Sequence, residues 1–265
     1  MAYLDDRLDL IERVPDTFVT RVDALRADLL DELTTLIASL DTKGGKFVAS
    51  PENLARIEEI IDGMGNFLFN EESEYLDALK EFLAAQGTAA GMAETFLGVE
   101  RNTKWTAVLQ SQQFKTAKIF DKERISAEIG TLIRNELTNL VASEAPVANA
   151  SIFMRDFILG NDQTPGRLTR YTKTWATTAF ANAERQYVYT VATDVGIEKW
   201  LYAGGLVKDS RDFCKDRVGQ TFTTDEVKSW AALDWQGKIA GTDENTIFSA
   251  AGGWNCLHTL MPVIE

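Results

Sequence analysis

Through its first 195 or so residues the chain repeats apolar side chains at three- and four-residue steps, and only afterwards does it alternate them. That period matches the turn of an α-helix and does not suit a strand, where the side chain changes face at every residue. Phe18, Val22, Leu25, Leu29, Leu33, Leu36 and Leu40 fall on one side of such a helix, with Asp and Arg on the other. Their spacing suits a helical hairpin or a short coiled-coil seam. Pro15-Asp16-Thr17 offers it a start and Gly44-Gly45 a break. Ser50 and Pro51 open a second helix as cap and first residue, with Leu54, Ile57, Ile61, Met64 and Leu68 as its stripe; Gly63 and Gly65 weaken its end. A third, near residues 72–86, carries Tyr75, Leu79 and Phe82 and stops at Gly87. Residues 88–115 read as a short helix and a turn around Gly98.

Ile125, Ile129, Ile133, Leu137 and Leu140 restore the helical pattern up to Pro146, and a short helix follows to Gly160. A long helix, about residues 168–195, is rich in Ala and aromatics and closes at Gly196. Its Tyr171, Trp175, Phe180, Tyr187 and Tyr189 spread round several faces, as core residues do. Strand-like sequence begins only at Glu198–Tyr202, before Gly204-Gly205. Thr223 and Glu226 make a capping box for a short helix, residues 235–253 read as a long loop, and Cys256–Val263 as a last strand. The expected fold is therefore mostly α with a small α+β module at the C-terminal end: helical hairpins, then a long helix and short strands.

The acidic excess is confined. Residues 1–100 hold 8 Lys and Arg against 21 Asp and Glu, whereas residues 101–265 hold 19 of each. Such a field repels a phosphate backbone and gives no support for sequence-independent DNA binding there, and no direct sequence-specific nucleic-acid contact is expected; it suits a solvated face or a basic protein partner. No apolar run is long enough for a membrane span, and the acidic start lacks the apolar stretch of a signal peptide, so synthesis in the cytoplasm is expected.

The chemistry-bearing residues cluster late. Cys214, Cys256 and the only histidine, His258, form a two-sulfur, one-imidazole set of the kind zinc prefers, with a water, Asp209 or Asp212 to complete four-coordination. On a strand, Cys256 and His258 would share a face. The competing reading is two small buried cysteines and a histidine hydrogen-bonded within a turn. An enzyme built on this set would take Glu226 or Asp212 as its acid–base group. A Cys–His nucleophile lacks an orienting third group and an oxyanion site in the sequence. The Gly204-Gly205 and Gly252-Gly253 pairs lack phosphate-loop spacing and read as turns. Arg211, between Asp209 and Asp212, reads as a buried ion-pair staple, with a phosphate contact as the alternative.

Taken together, Trp200-x-Tyr202-x-Gly204-Gly205, Asp209-Ser-Arg211-Asp-Phe213-Cys214, Gly219-x-x-Phe222-Thr and Gly252-Gly253-Trp254-Asn255-Cys256-Leu257-His258 make an ordered set. This set resembles the phage head morphogenesis family, the minor head proteins typified by the F protein of phage Mu. The resemblance covers about residues 120–265, which divides the chain into an acidic helical region (1–115) and the family's domain (116–265). It implies a non-enzymatic virion protein located in the head. Such a protein associates with the portal and with capsid or connector proteins, is oligomeric around the portal, and is needed for head morphogenesis or DNA delivery. The family usually has a basic residue between the last Cys and His; Leu257 stands there in this chain. The resemblance carries no catalytic residue and no required cofactor, and a zinc enzyme is the rival reading.

Overall fold

A computed structural model describes residues 2–264. Helix α1 (Ala2–Ala24) runs through Pro15 rather than starting there. Leu10, Ile11, Val14 and Phe18 make one continuous buried stripe, and its burial outweighs the single backbone hydrogen bond that a proline removes. Helix α2 (Arg26–Ile37) follows, then a hairpin of β1 (Thr42–Lys43) and β2 (Lys46–Phe47). Both of its turn residues, Gly44 and Gly45, have positive φ, which a two-residue hairpin turn requires.

Helix α3 (Pro51–Phe69) is capped as expected: the Asn53 N–H donates to Ser50 Oγ at 3.1 Å. Gly63 does not loosen it. A Cβ there would lie 2.4 Å from Leu36 Cδ1, so the glycine lets α3 approach α2 closely. Helix α4 (Glu74–Leu97) passes through Gly87, where a stop was expected. Ala89, Ala90 and Ala93 are buried beyond it, and their packing offsets the roughly 1 kcal/mol that an interior glycine costs. The turn expected at Gly98 is present, with φ +67°, and α5 (Thr103–Ile119) follows.

The pattern from residue 122 forms α6 (Lys122–Ile125), a π-helical turn (Ser126–Gly130) and α7 (Thr131–Ala142). Helix α8 (Val147–Ile158), a hairpin of β3 (Gly160–Asn161) and β4 (Thr164–Pro165), and the long α9 (Arg167–Asp194) come next. Beyond Gly196 lie β5 (Lys199–Ala203), α10 (Asp212–Lys215), β6 (Thr221–Thr223), α11 (Thr224–Ser229), α12 (Ile247–Ala250) and β7 (Thr259–Pro262). The chain is thus mostly α with a small α+β module near its C-terminal end.

The chain divides into two compact units made of discontinuous segments, and the expected boundary at residues 115 and 116 falls inside α5. One unit comprises Phe18–Lys80 and Lys118–Lys173. In it α2 packs on α3 and α8, and α3 on α7, so that Ile57, Ile61, Met64, Ile133 and Leu137 are buried. The other comprises Met1–Thr17, Glu81–Ala117 and Thr174–Glu265. Its sheet has the order β6-β5-β7, antiparallel throughout, with Trp200 opposite Phe222 on one side and Pro262 on the other. Trp200 and Tyr202, two residues apart on the central strand, share a face and are both fully buried. Phe213, Val227, Trp230, Phe248 and Leu260 complete that core. Buried Arg7 pairs with buried Glu184 through two nitrogens, Nη2 lying 2.7 Å from Oε2. No helix among the described residues is long and apolar enough to cross a membrane.

A buried sulfur and imidazole cluster as the candidate site

Strand β5 aims Tyr202 inward, and its hydroxyl stands 3.4 Å from Cys214 Sγ and 3.9 Å from Cys256 Sγ. Cys214 comes from α10, which is only one turn long. Cys256 and His258 come from the turn before β7, not from the strand as the sequence suggested. Asn255, at φ +54°, bends the chain just before them. The two sulfurs are 3.9 Å apart and free, and Cys256 Sγ lies 3.6 Å from His258 Nδ1. The ligating atoms of all three residues lie within 4.8 Å of one another. The His258 ring lies nearly parallel to that of Tyr202, centroids 5.4 Å apart, and its Nε2 is buried with no partner among the described residues.

The electrostatics of the cluster are set by burial and by the sulfurs themselves. Burial, reinforced by the neighbouring cysteines, pushes the Tyr202 phenol well above its ordinary value, so it stays a donor. The hydrogen bond from Cys214 holds Cys256 well below the ordinary thiol value against the opposing effect of burial, with help from His258 and Arg185. Cys214 is correspondingly pushed up by the same bond and by burial. The two shifts run in opposite directions, so Cys256 is the readier of the pair to lose its proton.

Three features not apparent from the sequence build the walls. Gly252 is buried against the sulfurs: a Cβ there would lie 2.5 Å from Cys256 Sγ and 2.7 Å from Cys214 Sγ. Arg185 of α9 donates to the Cys256 carbonyl and, at 3.2 Å, to that of Ser249. The Asn255 N–H donates to Thr178 Oγ1 of the same helix at 3.1 Å. Arg185 shares its helix face with Thr178, Ala181, Asn182, Val188 and Tyr189, a mixed set that carries no signal for it in the sequence.

The remaining motif residues mostly hold the module together. Arg211 makes no ion pair among the described residues, contrary to the staple expected; it donates to the carbonyls of Gly252 (3.2 Å) and Trp254 (2.6 Å), 41 and 43 residues on. Asp212 pairs instead with Lys215, and exposed Asp209 lines a cavity. Phe213 stacks on Trp235 and Phe222 meets Trp230 edge to face. Gly219 donates to the Tyr202 carbonyl at 2.8 Å and has φ +78°. At Gly204 a Cβ would press on the His258 ring, and at Gly253 it would strike the Gly237 carbonyl. The capping box at Thr223 and Glu226 is present in both directions.

A cavity of about 390 Å³ opens on the cluster, lined by Asp209, Arg211, Cys214, Cys256, Leu257 and His258 among others. Neither Glu226 nor Asp212 lines it. The fold and site thus define a mostly helical protein with an α+β module closed around a buried Cys–Cys–His cluster. No family model, curated protein or solved structure matches the chain.

Proposed function

We propose that the protein is a structural component of a bacteriophage head, a minor head protein that binds the portal or its connector and serves head morphogenesis or DNA delivery. The observation that carries this reading is the use to which the motif residues are put. Those named for the resemblance, from Trp200 to Asn255, gather in one module, and most are engaged in building it: Arg211 on two carbonyls, Gly219 on Tyr202, Phe213 and Phe222 against Trp rings. A set of residues engaged in this way favours a rigid docking element over a reacting site. The acidic excess in residues 1–100 suits a basic surface on a partner, and a ring around the portal follows from the symmetry of such assemblies.

Purified particles of the phage that encodes this chain should contain it, and it should co-purify with the portal when the two are expressed together. Particles that package DNA and infect normally without it would overturn the proposal.

A second reading, a zinc-dependent enzyme, is favoured by one observation, the cavity that opens on the cluster. The two acids suggested for it are otherwise occupied: Glu226 accepts from the Thr223 N–H at 2.7 Å, and Asp212 holds Lys215 at 3.0 Å. Turnover abolished by His258→Ala in a folded protein would select this reading.

A further inference from the structure

We propose that Cys214, Cys256 and His258 form a zinc site, binding the ion through both sulfurs and imidazole Nδ1, with the fourth position facing the cavity and taken by solvent. This inference stands on the geometry of the cluster and is independent of any role in a virion.

An ion held tetrahedrally at about 2.3 Å from sulfur and about 2.0 Å from nitrogen keeps two sulfurs about 3.8 Å apart, and a sulfur and a nitrogen about 3.5 Å apart. The cluster has 3.9 Å between its sulfurs and 3.6 Å from Cys256 Sγ to His258 Nδ1. Two edges of a tetrahedron are therefore already at length, although the three residues come from two segments more than 40 positions apart in the chain.

The imidazole supplies a second observation. It is 6 % exposed, its Nδ1 faces only a sulfur, and its Nε2 has no partner among the described residues. A histidine kept for packing or for a hydrogen bond would have those nitrogens paired, because an unmet buried polar atom costs about 1–3 kcal/mol. A metal bond to Nδ1 gives that nitrogen a strong partner in place of a 3.6 Å contact with sulfur, and the ring keeps its proton on Nε2.

The surroundings fit the same role. Gly252 adds no side chain of its own to the space beside both sulfurs, where a Cβ would collide with them. The Tyr202 hydroxyl can donate to the sulfurs, and Arg185 fixes the Cys256 carbonyl, the kind of outer support that orients ligands. Two sulfurs and an imidazole are a soft set that selects zinc over magnesium or calcium. On binding, each thiol still protonated loses its proton to solvent, and the resulting thiolate donates its electron pair to the ion.

The test uses the full-length chain, purified without a metal-binding tag, with zinc counted by mass spectrometry and thiols by a colorimetric disulfide reagent. About one zinc per chain is expected, with both thiols shielded until a chelator removes it. Cobalt replacing the zinc should give the near-ultraviolet sulfur-to-metal band and visible bands of a tetrahedral thiolate site. Cys214→Ser and His258→Ala should each lower the zinc content at least about tenfold. Should those variants fail to fold, the cobalt spectrum of the unaltered chain decides, since it reports sulfur ligation directly. Folded protein with less than about a tenth of a zinc per chain and freely reacting thiols would overturn the proposal. So would a cobalt spectrum without sulfur bands, or equal zinc in folded His258→Ala.

Discussion

Arg211 holds Trp254 by its backbone: the guanidinium Nη2 donates to the Trp254 carbonyl at 2.6 Å while Nη1 reaches Gly252 at 3.2 Å. One planar fork thus ties the cap of α10, which bears Cys214, to the loop that leads into Cys256. Gly237 adapts to it, since a Cβ at that position would lie 2.6 Å from Arg211 Nε.

Replacing Arg211 by Lys keeps the charge and loses the fork. Each hydrogen bond from a charged group contributes about 1.5–3 kcal/mol, so Arg211→Lys should lose at least one such increment despite being conservative in charge. Urea denaturation followed by tryptophan fluorescence measures it; an unchanged midpoint would show that the carbonyls find other donors.

Two glycines near the cluster should behave oppositely. Gly252→Ala drives a methyl into both sulfurs and should cost about 1–3 kcal/mol by overpacking, with slower reaction or altered spacing of the thiols. Gly205→Ala meets nothing within 4 Å and should change stability by no more than about 0.5 kcal/mol. Thermal unfolding of the two variants side by side tests the contrast, and equal losses would contradict it.

The buried pair of Arg7 and Glu184 should be much more sensitive to single than to double replacement. Removing one partner leaves a charge uncompensated away from water, at a cost of about 3–5 kcal/mol, whereas two apolar residues of similar volume are often neutral. Arg7→Met and Glu184→Leu should each destabilise strongly and the double variant should recover most of the loss. A double variant as unstable as the sum of the two would refute this.

Asp194 ends α9 and accepts from Lys104 Nζ at 2.6 Å and from Trp105 Nε1 at 2.8 Å, and these bonds hold its carboxyl below the ordinary value of 3.8. A depressed native value stabilises the fold above the unfolded value, and that contribution is lost as pH falls through the native one. The stability difference between the wild type and Asp194→Asn should be full at neutral pH and shrink below about pH 4. Denaturation midpoints compared at pH 7 and pH 3 should show it; a difference that grew in acid would reverse the sign assigned here.

Much of this fold was legible because helices announce themselves locally. Ser50 with Pro51, Gly98, Gly196 and the Thr223–Glu226 box mark ends by chemistry confined to a few residues, and each stands where it was expected. Pro15 and Gly87 misled, since their effect on the helix is set by what lies across from it. A stripe that continues past a breaker carries the helix with it. The three members of the cluster were also readable from residue type alone. What sequence could not supply was Tyr202 between the sulfurs, Gly252 against them and Arg185 behind them. Each of these depends on a contact between segments distant along the chain, and no local period encodes it. The short strand β6 and helix α12 were missed for a related reason, being too brief to show a repeat.

The unit that carries the cluster is assembled from segments far apart in sequence: Arg7 pairs with Glu184 and lies 3.4 Å from the Leu260 carbonyl, 253 residues on. During synthesis its first helix therefore emerges from the ribosome long before the strand that will cover it. A nascent chain must keep that arginine in water until the segment around Leu260 has been made and released. Such long-range closure is slow, and premature termination near residue 250 should leave a sticky, protease-sensitive product instead of a smaller folded one.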